Sequence, residues 1–439
     1  MLRARTGSRG LATSDAPEGR PASNAYNWYV VVVLLVIYSL NQLDRSVINI
    51  LGEAIKRELA ISDTQLGLLT GTSFALFYSL MGVPVARLAD RTHRVNLISI
   101  ALLAWSGLTI ACGFAVNYAS LFLIRMGVGI GEAGGTPPSQ SIIADYFPHE
   151  RRSTAIALFN SAVALGTFLG FLMGGYVSQG WGWRAAFLVA GGPGVLVAIL
   201  LKLTVKEPVR GRVDGLEEAA KVAPPLGQTL KLLFGKRSYP LIVVAATCSI
   251  GVMFVSTAWL PPLFIRLHGM KPAQIGGWLA LFTGLGGGLG TFIGGALADH
   301  LKRRSPLAEI YVPAAAAALT FPSLLVAVLA RDTTMALAGV GALFAFGYVW
   351  IGPTSAMIHR VAPVRARALA IGCMLFFSNI TALAFGPPIV GAISDGLKGS
   401  YGPDALRYAL GAASILSLAS AAIYLLAVRP YAKDLAAAA

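Results

Sequence analysis

Long apolar runs alternate with short polar segments along most of the chain. A membrane-spanning helix needs about 20 consecutive, mostly apolar residues, and twelve stretches meet this requirement. We number them span 1 to span 12: 28–50, 65–88, 95–116, 119–146, 154–178, 185–205, 239–265, 275–298, 308–329, 335–358, 368–394 and 405–428. The pattern therefore predicts an all-α membrane protein with twelve transmembrane helices.

A charged, proline-containing segment separates span 6 from span 7. It predicts two six-helix bundles, at 26–205 and 239–428, joined by a linker at 206–238. Inside the linker, LGQTLKLLFGKR has leucine and phenylalanine near one face, which fits a short helix on the membrane surface or an ordinary linker helix. Polar residues at 1–25 predict a disordered cytoplasmic tail, and 429–439 form a second cytoplasmic tail.

The composition and charge agree with a membrane protein. Of the 439 residues, 56% are hydrophobic and 13% charged, whereas about 25% are charged in soluble domains. If the N-terminus is cytoplasmic, 25 of the 35 Lys and Arg residues fall on cytoplasmic segments, 8 on external ones and 2 inside helices. This bias is the positive-inside rule. The net charge of +15 therefore reflects topology, with both termini cytoplasmic, and nucleic acid is excluded as a partner.

The sequence lacks the usual signs of an enzyme. Its three cysteines have no CxxC or metal-ligand spacing, and its five histidines lie in predicted loops or at helix ends. Neither HExxH nor GxSxG occurs, so no metal site or activated nucleophile is predicted. The ATP-binding pattern GxxxxGK[ST] is also missing. We expect no cofactor and a process driven by an ion gradient.

Two short segments recur at matching places in the two halves. RLADRTHR (87–94) follows span 2 and ALADHLKRR (296–304) follows span 8. RRSTAI (151–156) enters span 5 and RARALAI (365–371) enters span 11. Repeats of this kind are typical of transporters built from two similar bundles around a central site.

These repeats and the twelve spans resemble the major facilitator superfamily over nearly the whole chain. More narrowly, LNQLDR (40–45), RMGVGIGEA (125–133) and IIADYF (142–147) resemble the spinster group, whose members carry sphingolipids and lysolipids. Arg87 and His93 stand where the superfamily loop usually has glycines. The resemblance implies a transporter that works by alternating access.

Four ionisable residues lie well inside predicted spans: Asp44 and Arg45 in span 1, and Arg125 and Glu132 in span 4. A charge at the centre of a bilayer costs a few kcal/mol, so these side chains should face one another or a watery cavity. Arg125 and Asp44 share a level, and Glu132 lies about 10 Å deeper on the face of Arg125 at ~1.5 Å per residue. Because Pro137 and Pro138 lack amide hydrogens, an irregular backbone is expected just after Glu132.

The resemblance places these four residues beside a central cavity. Burial favours a protonated carboxyl group and a nearby arginine favours an ionised one, so a rearrangement can switch such an acid. We therefore predict proton coupling by Asp44 and Glu132, with Arg45 and Arg125 as headgroup ligands or charge partners. An ion-pair network that only ties span 1 to span 4 is the alternative. Asp44 and Arg45 point about 100° apart on one helix. Asp44 can therefore pair with Arg125 while Arg45 points toward the substrate path, or the two side chains can exchange these directions.

Another set of charges lies at the predicted cytoplasmic ends of the spans. The superfamily loop uses an acid after span 2 as a latch against the N-terminus of span 11, whose dipole favours an anion. A loop that only sets topology is the alternative. The predicted gate residues are Asp90, Arg91, Arg94, Asp145 and Asp299. Glycine stripes in spans 5 and 8 let helices approach closely, either to rock against each other or for static packing. The resemblance implies that these two spans face each other across the halves.

The second half offers aromatic rather than ionisable residues inside its apolar spans. A cavity that is charged on one wall and aromatic on the other suits an amphiphile. The sequence therefore predicts a monomeric, proton-coupled transporter of lysophospholipid-like or sphingolipid-like molecules in a bacterial inner membrane. A symporter of small organic anions is the alternative, and an uncoupled scramblase or channel would leave Asp44 and Glu132 without a role.

Overall fold

A computed structural model describes residues 24–210, 226–305, 307–363 and 366–436. These residues form helices joined by short turns, with no strand among them. The helices are α1 (Asn24–Leu59), α2 (Asp63–Arg91), α3 (Arg94–Cys112), α4 (Tyr118–Glu132), α5 (Thr136–Tyr146), α6 (His149–Asn160), α7 (Ala162–Thr204), α8 (Leu226–Gly235), α9 (Ser238–Leu267), α10 (Pro272–Lys302), α11 (Ala308–Leu329), α12 (Thr333–Gly347), α13 (Ile351–Val361), α14 (Arg367–Ser378), α15 (Gly386–Tyr401), α16 (Ala405–Ala413) and α17 (Ile415–Ala436).

Nine helical stretches of the described residues are long and apolar enough to cross a membrane. Two of them contain a turn at a glycine with positive φ, Gly182 at 84° and Gly402 at 53°, a backbone conformation that L-residues with a side chain rarely adopt. Predicted span 4 is divided between α4 and α5. The all-α membrane class is confirmed, and the count of twelve stays a prediction.

Several helix ends differ from the sequence prediction. Helix α1 continues past Ile50 to Leu59, because the charged residues beyond the apolar run remain helical. Helix α17 runs to Ala436, so most of the predicted tail at 429–439 is helical. The predicted linker helix exists as α8. Residues 1–23, 211–225 and 437–439, which hold the rest of the predicted tails and linker, lie outside the described residues.

The two glycine stripes pack within their own halves, whereas the expectation that spans 5 and 8 face each other across the halves is confirmed by the contacts of α7 with α10. A Cβ added to Gly170 would meet the Leu43 carbonyl of α1 at 2.8 Å, and one on Gly290 would meet the Ala345 carbonyl of α12 at 2.6 Å. Helices α7 and α10 do touch, but through Gly175 against the Pro272 carbonyl. Spacing reveals that a helix face is smooth but does not identify its partner.

The two halves are joined at one end of the bundle, which we call the closed side. It contains the α1–α2 and α9–α10 turns and residues 391–395 of α15. The opposite end, the linker side, contains Asn24, Thr204 and α8. In the described part of the chain, the ion pairs of the linker side join elements of a single half, whereas those of the closed side also connect the two halves.

Candidate functional site: a buried double ion pair

Glu132 lies at the point where predicted span 4 is interrupted. Helix α4 ends at Glu132, a turn follows, and α5 begins at Thr136 with two prolines in its first turn. The amide of Gly135 donates to the Glu132 carbonyl at 3.1 Å, which closes this turn. The irregular backbone expected from Pro137 and Pro138 is therefore present, and it places an acid beside a helix break.

Asp44 and Arg125 form the more deeply buried of two ion pairs. The Arg125 Nη1 atom donates to Asp44 Oδ2 at 2.7 Å, and their side chains are 1% and 3% exposed. Thr109 of α3 donates its hydroxyl to Asp44 Oδ1 at 2.8 Å. Removal of one partner of such a pair leaves an uncompensated charge in a water-poor interior, which costs roughly 3–5 kcal/mol. This pair therefore ties α1, α3 and α4 together.

Arg45 and Glu132 form the second pair. Arg45 Nε donates to Glu132 Oε2 at 2.8 Å. The Arg45 guanidinium carbon also lies 4.6 Å and 4.3 Å from the ring centroids of Phe74 and Tyr78 of α2. Both distances are within the ~6 Å of a favourable cation–π contact. The two rings hold the guanidinium at a fixed position in front of Glu132.

The four charged residues differ in their access to solvent. The Arg45 side chain is 22% exposed, whereas that of Glu132 is 0% exposed. Atoms Arg45 Nη2 and Glu132 Oε1 are buried and have no hydrogen-bond partner among the described residues. Because another part of the Arg45 side chain is exposed, Arg45 can contact an anion from outside while it neutralises a buried acid. The structure brings Asp44, Arg45, Arg125 and Glu132 into one cluster, in the first of the two pairings considered from the sequence.

Two of the predicted gate residues form a separate cluster on the linker side. Arg94, at the start of α3 and 2% exposed, bonds the Asp145 carboxylate. Its Nε also donates to Glu207 Oε1 at 2.6 Å. Glu207 was not predicted, because it lies after span 6 in what the sequence presents as linker. These residues join parts of the first half only.

The other predicted gate residues, Asp90, Arg91 and Asp299, are exposed. Arg210 donates to the main-chain carbonyls of Ala89 and Asp90 at the end of α2. In the described part of the chain, no ion pair of the Asp90 or Asp299 carboxylate is present, although residues 364 and 365 before α14 are not described. The latch therefore stays a prediction.

The closed side carries an ion-pair network that sequence analysis missed. Arg266 of α9 donates from Nε to Glu53 Oε2 at 2.6 Å. Its two terminal nitrogens bond both carboxylate oxygens of Asp63, at 3.0 Å and 2.8 Å. The Asp395 carboxylate of α15 accepts the Thr64 amide at 2.7 Å. Because α1 and α2 belong to one half and α9 and α15 to the other, this network locks the halves together.

The second half contains a largely apolar cavity between α9, α15 and the α16–α17 turn. Its volume is about 440 Å³, and its lining includes Gly251, Ala382, Val390 and Leu416, with Thr247 and Thr381 as polar exceptions. Among the aromatic residues of this half, Trp259, Phe264 and Phe344 are buried in the core, whereas Phe376 and Phe377 are exposed. Within the described residues, no cluster of His, Cys, Asp and Glu could hold a metal.

Comparisons with known proteins agree with this architecture. The family model "Major Facilitator Superfamily" matches residues 34–355. An MFS-type efflux pump of Mycolicibacterium smegmatis is 33% identical over 93% of this chain and 94% of its own length. Protein spinster of Drosophila melanogaster is 29% identical over 84% of this chain, which matches 62% of the length of that protein. A probable galactarate/D-glucarate transporter of Bacillus subtilis is 27% identical, over 95% and 94%.

The fold also matches a solved structure. A bacterial homologue of the human lysosomal transporter spinster, in an inward-facing and unoccupied conformation, superposes with a TM-score of 0.87. It is 29% identical, and the match covers 94% of this chain and 99% of that chain. The chain therefore belongs to the Major Facilitator Superfamily and is a multi-pass membrane transporter related to the spinster proteins, not an enzyme.

Proposed function

We propose that this chain is a proton-coupled secondary transporter of amphiphilic lipids that works by alternating access, as a monomer in a bacterial inner membrane. The amphiphiles are of the lysophospholipid or sphingolipid type. The observation that carries the proposal is the position of Arg45, which is partly exposed and also bonded to the fully buried Glu132. One side chain thus links the substrate path to an acid that can take up a proton.

Proton coupling follows from competition for Arg45. When no substrate is bound, the Arg45 guanidinium stays paired with Glu132. This pairing favours the ionised form of the Glu132 carboxylate. An anionic headgroup that binds Arg45 shares this cation and weakens its hold on Glu132, and burial then favours protonation. Arg125 is 1% exposed, so we assign headgroup binding to Arg45 and a positioning role toward Asp44 to Arg125.

The arrangement of the halves supports alternating access. Arg266 joins them on the closed side, whereas on the linker side each half has its own ion pairs, around Arg94 and around Glu309. If the linker side is cytoplasmic, as the charge distribution predicts, this is an inward-open state. The spinster homologue with a similar fold was also solved in an inward-facing conformation.

The apolar second half supports an amphiphilic cargo. A headgroup at Arg45 would leave the hydrocarbon chain to the other half, where exposed Phe376 and Phe377 and an apolar cavity of about 440 Å³ offer apolar surface. Apolar chains are stabilised by burial in proportion to the area that they remove from water, at about 25 cal/mol per Å². A small polar substrate would gain nothing there.

The experiment that tests this function measures substrate-dependent proton flux in proteoliposomes. We expect lysophospholipids or sphingoid phosphates to drive flux across an imposed pH gradient, while galactarate does not. Uptake of lipid that proceeds equally with and without the gradient would contradict proton coupling and favour a scramblase.

A symporter of small organic anions is the second candidate. It is favoured by the Bacillus subtilis relative, a probable galactarate/D-glucarate transporter, and by the partly exposed side chain of Arg45, because a guanidinium binds a carboxylate as well as a phosphate. Proton flux driven by galactarate and not by lipids would select this candidate and reject the lipid substrate.

Arg45→Lys is expected to reduce transport about tenfold or more. Lysine keeps the charge but loses the planar fork that reaches Glu132 and the headgroup together. Transport rates and headgroup affinity would be compared with those of Arg429→Lys, an exposed arginine of α17. Wild-type transport by Arg45→Lys would mean that Arg45 is only a structural partner of Glu132.

Asp90→Asn is expected to bias the carrier toward the state that is open on the linker side. The latch proposed at Asp90 acts only in the conformation in which the linker side is shut. Loss of the Asp90 charge therefore destabilises that conformation. Distances between spin labels on the two halves would report the shift. Substrate affinity in a variant that is cross-linked in one conformation should stay nearly unchanged, and a large loss there would place Asp90 in the substrate site.

A further inference from the structure

One buried polar side chain lies beside the ion pairs but belongs to neither. Asn41 of α1 is 2% exposed, and neither of its amide atoms, Nδ2 and Oδ1, has a hydrogen-bond partner among the described residues. Buried polar groups in proteins are nearly always hydrogen-bonded, to protein or to ordered water. The amide therefore points to a small polar ligand at this position.

Asn41 lines a small cavity that has both polar and apolar walls. The other polar side chains of the lining are Tyr38, Thr136 and Ser139, and the apolar ones include Trp105 and Phe159. The cavity volume is about 10 Å³, which is at the lower limit of the ~10–15 Å³ that holds one water molecule. A buried water also needs two to four polar partners, and the Asn41 amide and the three hydroxyl groups can supply them.

The cavity lies next to Glu132, toward the linker side. Asn41 is four residues before Arg45, one turn away on the same face of α1. Gly135, which also lines the cavity, donates its amide to the Glu132 carbonyl at 3.1 Å. The lining residue Ser139 lies further along α5, away from Glu132 and toward the linker side. The cavity therefore lies between the turn at Glu132 and the linker side, within the first half.

Glu132 needs such a link because its side chain is 0% exposed. A carboxyl group without solvent contact exchanges protons only through an intermediate that both accepts and donates one. Arg45 cannot act in this way, because a guanidinium does not deprotonate in proteins. Asn41 is an amide and does not titrate, but it can orient a water molecule, with Nδ2 as donor and Oδ1 as acceptor.

We propose that Asn41, Thr136 and Ser139 hold one water molecule that relays protons between Glu132 and the linker side. On uptake, this water donates a proton to the Glu132 carboxylate and receives one from solvent, so it is restored and no other group is consumed. Asn41 is a positioning residue in this step. The inference rests on the proton coupling proposed above, and it assigns a role to the break between α4 and α5.

The test compares Asn41→Leu with Ser39→Ala in proteoliposomes after a rapid drop in pH. Ser39 is a matched control, since it is also buried on α1 with an unpartnered hydroxyl but does not line the cavity. We expect proton uptake, followed with a pH-indicator dye and the infrared band of the Glu132 carboxyl, to slow about tenfold in Asn41→Leu. The number of protons per carrier should stay unchanged, and Ser39→Ala should behave as wild type.

A second measurement observes the water itself. Exchange into H₂¹⁸O should shift the infrared band of one buried water in the wild type, and this band should be missing in Asn41→Leu and, if that variant does not fold, in Thr136→Val. Uptake at the wild-type rate, or a persistent water band, would overturn the relay. A wild-type carrier that takes up no protons would instead reject the proposed proton coupling, so the two failures are distinguishable.

Discussion

Glu132→Gln is expected to abolish the response of transport to a proton gradient while the protein still folds. The glutamine side chain has nearly the same shape as protonated glutamate, and its Oε1 atom can still accept the Arg45 Nε hydrogen bond. It cannot release a proton. Counterflow of substrate, which needs no net proton movement, should therefore persist, whereas accumulation driven by a pH gradient should be lost.

The matched control for this variant is Glu58→Gln. Glu58 is an acid on the same half whose side chain is 48% exposed and pairs with Arg184 on the closed side. It should transport as the wild type does. Conformational probes that still shift with pH in Glu132→Gln would remove Glu132 from the coupling role and leave Asp44 as the remaining acid of the cluster.

Arg266→Leu is expected to release the closed side and move the carrier toward a state open at that end. The change leaves Glu53 and Asp63, at 7% and 4% side-chain exposure, without the cation that joins them to the second half. Arg57 and Lys56 of the first half still pair with them. A hydrogen bond to a charged group contributes roughly 1.5–3 kcal/mol. Because this loss falls on the conformation in which the halves meet, the equilibrium should shift by a factor of about ten or more.

Spin-label distances across the closed side would measure this shift, with Arg184→Leu as control. Arg184 lies on the same side and pairs with Glu58 inside the first half, so its loss should not separate the halves. A closed side that stays shut in Arg266→Leu would show that close helix packing, such as Gly391 against the Asp63 carbonyl, holds the halves without the ion pairs.

The sequence predicted most of the chemistry of the cluster but not its pairing. Asp44, Arg45, Arg125 and Glu132 stood out because a charge in an apolar span is costly unless it has a partner. The direction of each side chain around its helix restricted the pairings to two. Only the position of α1 relative to α4 in the folded bundle selected the pairs that form, because the rotation and height of each helix depend on the helices that pack against it.

Sequence analysis also missed functional residues whose local pattern is ordinary, because their contacts depend on how distant helices are placed relative to each other. Phe74 and Tyr78 read as two more aromatic residues of an apolar span, and Asn41 as one polar residue near a charged pair. Arg266 lies at the end of span 7, and Asp63 lies between spans 1 and 2, where charges usually face water. Each acquires its role from a side chain distant in sequence, so no local spacing identifies it.

The sequence by itself determined the membrane class, the helical character of the spans and the break after Glu132, because hydrophobic length and proline chemistry act locally along the chain. The tertiary structure decided which faces meet. In each half, the glycine stripe packs against a helix of the same half, and Arg266 lies between Glu53 and Asp63 on the closed side. Such contacts depend on two distant segments at once, and the free energy that selects them exists only when both are present.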